Sequence, residues 1–303
     1  MKILAYIYLA LLIYIVTPQM QTFLIQNCIL QLILFILSAC IPAYITGRMS
    51  YVDLAWPWGL VLIGVQTLFL TGYWLRRILI GGAFLFAGLR MGFGGLMFFL
   101  KGKLKVEFPR YDYQRLRWKE AGIPESSFAM EMQFEILVQF AANASTLIIP
   151  SLLQGFYTEE KISAIEIFGW ILWLCSFLFE SIADSQKLGS RSGREKVMIE
   201  GLWKTSRHPN YFGEWMVWNS LIITSIPSFL SFANFDDKSI NSIMFIVLIG
   251  GGLISISATM YWCLVYYTGA IPAEYYSVLK RKEYKQYQET TPMFFPDFTR
   301  LFK

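Results

Sequence analysis

The residues best able to do chemistry crowd into one stretch, 179–214, which reads FESIADSQKLGSRSGREKVMIEGLWKTSRHPNYFGE. Glu180 and Asp184 are four residues apart, as are Asn210 and Glu214, so each pair shares a helical face. Lys187, Arg191, Arg194, Lys196, Lys204 and Arg207 lie between or beside them. Such cations suit phosphate groups, arginine through its planar, bidentate fork. Backbone N–H groups at a helix start after Pro209 would add to an anion site. His208 is the only histidine of the chain and sits at that predicted helix start. A cation is disfavoured there, so the position predicts a lowered pKa and a neutral imidazole beside a cofactor. A capping or packing histidine is the other reading. A single histidine excludes multi-histidine metal sites, and no C-x-x-C pair occurs, so no metal is expected.

Other ionisable residues interrupt apolar runs, where a charge normally faces a cavity or a partner. Asp53, Arg90, Glu166 and Glu274 are of this kind. Arg90 is the deepest and needs an acidic or carbonyl partner, for which Asp53 is a candidate; a structural ion pair that fixes helix packing is the alternative. Toward the end of the chain, Tyr266, Tyr267, Glu274, Tyr275 and Tyr276 lie between the last apolar run and a basic cluster. They suit either the closing of a cavity or an aromatic belt. Neither a Gly-x-Gly-x-x-Gly fingerprint nor a P-loop is present, so any nucleotide cofactor must be held without a Rossmann unit.

These residues need elements to position them, and the composition says of what kind. Of 303 residues 55% are hydrophobic and 16% charged, against about 25% charged in soluble domains. Mean hydropathy is +0.47. A disordered chain, a disulfide-stapled secreted domain and an ordinary soluble enzyme are excluded. Apolar runs fall at about 3–17, 23–46, 54–71, 78–100, 132–153, 162–182, 211–230 and 242–268, each long enough to suggest a helix. The expected fold is an all-α polytopic membrane bundle of eight helices; seven remain open if the first run is not a separate span or the third and fourth form a re-entrant pair. The opening MKILAYIYLALLIYIVTP is read as the first span rather than a cleaved leader.

With strict alternation, 21 basic residues fall on one side and four on the other, with Arg90 inside a span. By the positive-inside rule both termini and the long loops 101–131 and 183–210 face the cytoplasm. The net charge of +5 is accounted for by this bias and implies no nucleic-acid partner; the expected partners are membrane lipid and a lipophilic small molecule. The glycine pairs at 81–82 and 94–95 and the run at 250–252 lie in spans, where small residues permit close helix contact.

The strings SRHPNYFGEW at 206–215, ESIADSQKLGSR at 180–191, YKQYQETTPMFFP at 284–296 and YVDLAWPWG at 51–59 together resemble a bacterial membrane family of unknown function grouped with the steroid 5-alpha-reductases. The likeness runs over roughly residues 50–296, which makes the whole chain one membrane domain with 1–50 as peripheral helices and 51–296 as the catalytic core. The broader group holds reductases and methyltransferases on multi-helix membrane cores. The resemblance implies a dinucleotide site in which Asp184 and Arg191 match an aspartate and an arginine of the steroid enzymes, with Asn210 and Glu214 lining it. Glu180 stands where those enzymes carry an asparagine. Their catalytic glutamate is matched by Asp53 and an arginine by Arg90; Ala87 stands near the place of their proton-donating tyrosine, so another tyrosine or another substrate is implied.

The expected activity is therefore an NADPH-dependent membrane oxidoreductase of the bacterial inner membrane. It would pass hydride to the conjugated double bond of a lipophilic enone, with the developing oxyanion met by a positioned acid. Asp53, Arg90 and Glu214 are the expected catalytic residues. Glu180, Asp184, Lys187, Arg191, Arg207, His208, Asn210, Tyr211 and Tyr275 are the expected cofactor contacts. A methyltransferase using S-adenosylmethionine is the alternative, because such enzymes also carry an Arg-His-Pro-x-Tyr string before a helix; a transporter or assembly protein is a third class.

Overall fold

The computed structural model describes residues 2–189 and 197–302, and all regular structure among them is helical. Fourteen α-helices follow in order: α1 Lys2–Ile15, α2 Pro18–Phe35, α3 Ile41–Thr46, α4 Val52–Leu68, α5 Trp74–Leu100, α6 Pro109–Glu120, α7 Phe128–Ala142, α8 Ile149–Phe156, α9 Ala164–Gly189, α10 Pro209–Phe232, α11 Ile240–Phe245, α12 Gly251–Trp262, α13 Ala270–Lys280 and α14 Tyr284–Thr290. Single π-turns join α2 to α3 (Ile36–Cys40), α7 to α8 (Asn143–Leu147) and α11 to α12 (Ile246–Gly250), and a fourth (Cys263–Tyr267) follows α12.

Each of the eight apolar runs is helical, and six of the resulting helical stretches are long and apolar enough to cross a membrane: Pro18–Thr46, Trp74–Leu100, Glu125–Phe156, Ala164–Gly189, Pro209–Phe232 and Ile240–Lys280. The chain is thus an all-helical protein with six candidate membrane spans. The first and third runs differ from the others in length: α1 has 14 residues and α4 has 17. At 1.5 Å per residue they reach about 21 Å and 26 Å, short of the roughly 30 Å of a hydrocarbon core.

Two compact units form, Met1–Ser163 with Ser225–Ser255, and Ala164–Thr224 with Ile256–Lys303. In the first, α4 and α5 run antiparallel at close range because one of them is bare along its contact face. A methyl group placed on Gly81 would lie 3.0 Å from the Gly64 carbonyl oxygen, on Gly88 2.7 Å from that of Pro57, and on Gly95 2.8 Å from that of Asp53. Gly82 and Gly94 face away and meet nothing, so only one member of each glycine pair serves the contact. Pro57 lies inside α4 and has no N–H, which withholds the usual helical donor from the Asp53 carbonyl four residues back. Gly95 brings α5 onto that oxygen.

Buried carboxamides tie α2 and α4. Gln31 Nε2 donates to Asn27 Oδ1 at 2.6 Å, and Asn27 Nδ2 to Gln66 Oε1 at 2.5 Å. Asn143, at the π-turn after α7, donates to the Trp56 carbonyl at 3.1 Å. Gly59 makes room for this group, since a methyl there would lie 2.6 Å from both the Gln31 and Asn143 amides.

The segment before α6 is fastened to the start of α4. Gly47 ends α3 in the left-handed region at φ 68°, a conformation glycine adopts without steric cost. Glu107 then accepts from the Met49 N–H at 2.7 Å, the Ser50 N–H at 2.9 Å and Arg115 at 3.0 Å, as well as from the Ser50 hydroxyl.

In the second unit, α9 and α10 are antiparallel neighbours. A methyl on Gly213 would lie 2.9 Å from the Glu180 backbone, and one on Gly169 would lie 3.0 Å from the Thr224 nitrogen. The C-terminal stretch returns to the turn before α10: the Arg207 N–H donates to the Pro292 carbonyl at 2.9 Å, and the Asp297 N–H to that of Thr205 at 2.9 Å. Phe212, Trp215, Tyr261, Phe294 and Phe295 interlock mostly edge to face, with Tyr261 and Phe294 centroids 5.0 Å apart and Tyr261 stacked on Phe295.

Candidate functional site

The second unit collects most of the residues singled out by the sequence into two adjoining polar groups at the start of α10. The first is a buried brace. Arg207 donates through Nε to Glu274 Oε1 at 2.7 Å and through Nη2 to Oε2 at 3.1 Å. Its Nη1 donates to the carbonyls of Gln288 at 2.8 Å and Thr291 at 2.5 Å. Glu274 also accepts from Gln288 Nε2 at 2.6 Å, and His208 Nε2 lies 3.0 Å from its Oε1. Side-chain exposure is 8% for Arg207 and 5% for Glu274, so the charges are compensated inside the protein rather than by water.

With its neighbours donating to it, the Glu274 carboxylate takes His208 Nε2 as a further donor and leaves Nδ1 as the acceptor of a neutral ring. Burial pushes the His208 pKa down, helped by the nearby cations Lys187 and Arg207 and opposed by the Glu274 contact. The direction is the one expected from sequence; its leading cause is burial, whereas the expectation rested on the helix start. Tyr211 stacks on the imidazole with centroids 5.0 Å apart and planes 8° from parallel. Ser206 completes the turn, its hydroxyl donating to the Met293 and Phe294 carbonyls at 3.1 and 3.0 Å and accepting from the His208 N–H at 3.1 Å. The Tyr287 hydroxyl donates to the Trp203 and Ser206 carbonyls, and burial holds that phenol well above its usual range.

The second group joins α9 to α10. Asn210 Nδ2 donates to Asp184 Oδ1 at 3.0 Å. An ionised carboxylate only accepts, so this bond fixes the orientation of the amide. The other amide atom, Asn210 Oδ1, is buried and has no hydrogen-bond partner. One turn before this contact lies Glu180, beside Gly213; one turn after it, Lys187 lays its ammonium 4.3 Å from the Trp203 ring centroid. Trp203 is fixed in turn by its indole N–H, which donates to the Ala183 carbonyl at 2.9 Å.

Glu214 is on α10 one turn after Asn210, and Tyr275 follows Glu274 on α13, exposed and packed on Tyr276 at 5.1 Å. Arg207, expected among the phosphate contacts, has four of its N–H directions committed to Glu274 and two carbonyls; its place is that of a brace. Arg191, Arg194 and Lys196 lie outside the described residues.

Asp53 and Arg90 belong to the first unit. Asp53 forms its ion pair with Arg110 and also accepts from the Tyr111 hydroxyl. Tyr111 is buried, and burial together with the Asp53 charge raises its pKa well above the usual phenol value. Arg90 lies within α5. Sequence reasoning missed Arg110 and Tyr111, 57 and 58 residues from Asp53. It also missed Gln288, one of three glutamine or glutamate residues in a polar tail helix, none marked out by its spacing.

Comparison with known proteins gives a family and nothing closer. A family model described as a protein of unknown function (DUF1295) matches residues 34–291, well over half of the chain. No curated protein and no solved structure matches.

Proposed function

We propose that this chain, which belongs to the DUF1295 family, is an NAD(P)H-dependent membrane reductase acting on the conjugated carbon–carbon double bond of a lipophilic enone. The observation that carries the reading is the orphaned acceptor Asn210 Oδ1, buried and aimed by Asp184. A buried acceptor without a donor is costly, by about 1–3 kcal/mol, and calls for an explanation; a ligand that donates to it would be one. The carboxamide of a nicotinamide offers N–H donors of the required kind, so the residues present fit the cofactor. When bound, the dinucleotide supplies the hydride.

The chain's own residues hold and orient. Asp184 sets the Asn210 amide, Lys187 follows on α9 as a cation for phosphate, and Arg191 extends the same run of sequence. Arg207 and Glu274 hold the turn before α10, so His208 is kept neutral with Nδ1 as an acceptor and Tyr211 stacked on it. Glu180, Glu214 and Tyr275 complete the assigned contacts. The resemblance to steroid 5-alpha-reductases assigns proton delivery to Asp53 and a supporting charge to Arg90. Within the first unit, the Tyr111 hydroxyl donates to Asp53. The same reading carries eight spans of the steroid-reductase type in a bacterial inner membrane, with both termini and the cofactor loops cytoplasmic.

A second reading, a methyltransferase using S-adenosylmethionine, draws on the brace: the string Arg207-His208-Pro209-Asn210-Tyr211 is tied to a tail glutamate, Glu274. The reductase is preferred because Asp184 and Asn210 are paired and Tyr275 stands where those methyltransferases carry a second acid. The test is NADPH affinity of detergent-purified variants. Asn210→Leu should weaken binding by about two- to tenfold, the worth of one hydrogen bond, while Lys238→Ala should leave it unchanged. Equal affinities in the two variants would remove Asn210 from the site and the reading with it.

A further inference from the structure

The end of α5 and the turn that follows gather positive charge that no carboxylate among the described residues pairs with. Lys101, Lys103 and Lys105 are all exposed and fall within five residues. Gly102 sits between them in the left-handed region at φ 67°, and the Lys105 side chain folds back over it: a methyl on Gly102 would lie 3.5 Å from Lys105 Cε and 4.0 Å from Nζ. The Lys103 ammonium lies 5.3 Å from the Phe98 ring centroid. Arg48 joins the group from the turn after α3, donating to the Lys105 carbonyl at 3.2 Å, while its Nε is buried without a hydrogen-bond partner.

Three acids in this part of the chain are committed elsewhere. Glu107 serves Met49, Ser50 and Arg115, Asp53 serves Arg110 and Tyr111, and Glu125 serves Lys119. Four cations held together without a counter-charge repel one another, so an anion from outside the chain lowers the energy of the arrangement. Directly beside them the surface is apolar: Met97, Phe98, Phe99 and Leu100 at the end of α5 are 45–69% exposed, and Val106 is 72% exposed. A dissolved anion has no use for that surface, whereas a lipid has an anionic head and apolar tails in this order.

We propose that Arg48, Lys101, Lys103 and Lys105 form a binding site for the phosphate head of an anionic phospholipid, whose acyl chains lie along the exposed end of α5. The site lies wholly in the first unit and is independent of the reductase reading. It goes beyond the general attraction of basic loops to membranes by naming one cluster, shaped by Gly102 and rimmed by Phe98, as the place where a head group is held.

The full-length protein purified in a neutral detergent would be titrated with phosphatidylglycerol, phosphatidylcholine and inorganic phosphate, following the melting temperature. Phosphatidylglycerol should raise it saturably; phosphatidylcholine and millimolar phosphate should not. Each lysine near an anionic surface is worth about fivefold in affinity, so the variant Lys101→Gln/Lys103→Gln/Lys105→Gln should need on the order of a hundredfold more phosphatidylglycerol for the same shift. Lys238→Gln, in the exposed loop before α11, should behave as the unmodified protein. All three lysines are exposed, so the triple variant folds. The proposal is overturned if the two lipids act alike, if inorganic phosphate alone reproduces the effect, or if the triple variant keeps its response.

Discussion

Glu274→Gln changes one atom and strips the brace of its negative charge. In the folded protein that carboxylate receives two N–H bonds from Arg207, at 2.7 and 3.1 Å, one from Gln288 at 2.6 Å and the His208 contact at 3.0 Å. A glutamine has one acceptor oxygen where the glutamate has two, and its NH2 meets donors rather than acceptors. Arg207 is then a guanidinium with 8% of its side chain exposed and no compensating charge. Breaking a buried pair in this way costs about 3–5 kcal/mol, equivalent to a loss of about two to three and a half powers of ten in the folded-to-unfolded ratio. The assay is thermal unfolding of the detergent-purified protein followed by circular dichroism. The control is Glu125→Gln, whose partner is Lys119 at 2.7 Å in an ion pair with 73% and 54% exposed side chains. Water screens that pair, and its loss should leave the melting temperature unchanged. If Glu274→Gln melted with the unmodified protein, Arg207 would not depend on Glu274, and the tail would not be held by this charge.

Two further substitutions and conditions follow from the same geometry. Gly88→Leu forces a side chain against the Pro57 carbonyl, 2.7 Å from the position of its first carbon; overpacking of this kind costs about 1–3 kcal/mol, so the variant should melt lower, whereas Gly82→Leu, which meets nothing within 4 Å, should not. The His208 pKa is lowered by burial from 6.5, so the unfolded chain binds this proton more readily than the folded one. The stability it contributes is present above about pH 6.5 and is lost as pH falls through the folded value. Melting temperatures measured from pH 8 to pH 5 should therefore fall more steeply for the unmodified protein than for His208→Gln, and parallel curves would show that His208 does not titrate on unfolding.

Much of the helical framework was legible because continuous apolar runs leave the backbone little choice in lipid. The runs at 78–100 and 162–182 return as α5 and α9, extended by several residues where Trp74–Arg77 and Asp184–Lys187 continue the helical pattern with polar ends. Length was harder to read. The run at 54–71 stops as α4 at Leu68, since Phe69–Gly72 turn toward the end of α8, where the Gly72 and Tyr73 N–H groups meet the Gly155 and Tyr157 carbonyls. The π-turns carry no sequence mark. For the site, pairs within one or two helical turns were readable, and Asp184 with Asn210 came together as two helix ends facing each other. Partners distant in sequence were not. Arg207 looked like a phosphate ligand because a cation in a basic loop gives no sign that a glutamate 67 residues later will claim it. Asp53 likewise found Arg110 and Tyr111 through the packing of α6, which periodicity alone does not predict.

The central claim is that the groups around Asn210 and Asp184 receive a nicotinamide dinucleotide. Its most direct test is equilibrium binding of NADPH and of S-adenosylmethionine to the purified full-length protein in detergent, measured side by side by calorimetry. The account predicts saturable binding of NADPH, one molecule per chain, and none of the methyl donor. Saturable binding of S-adenosylmethionine with none of NADPH would contradict it and transfer the same brace and the same orphaned acceptor to a methyltransferase.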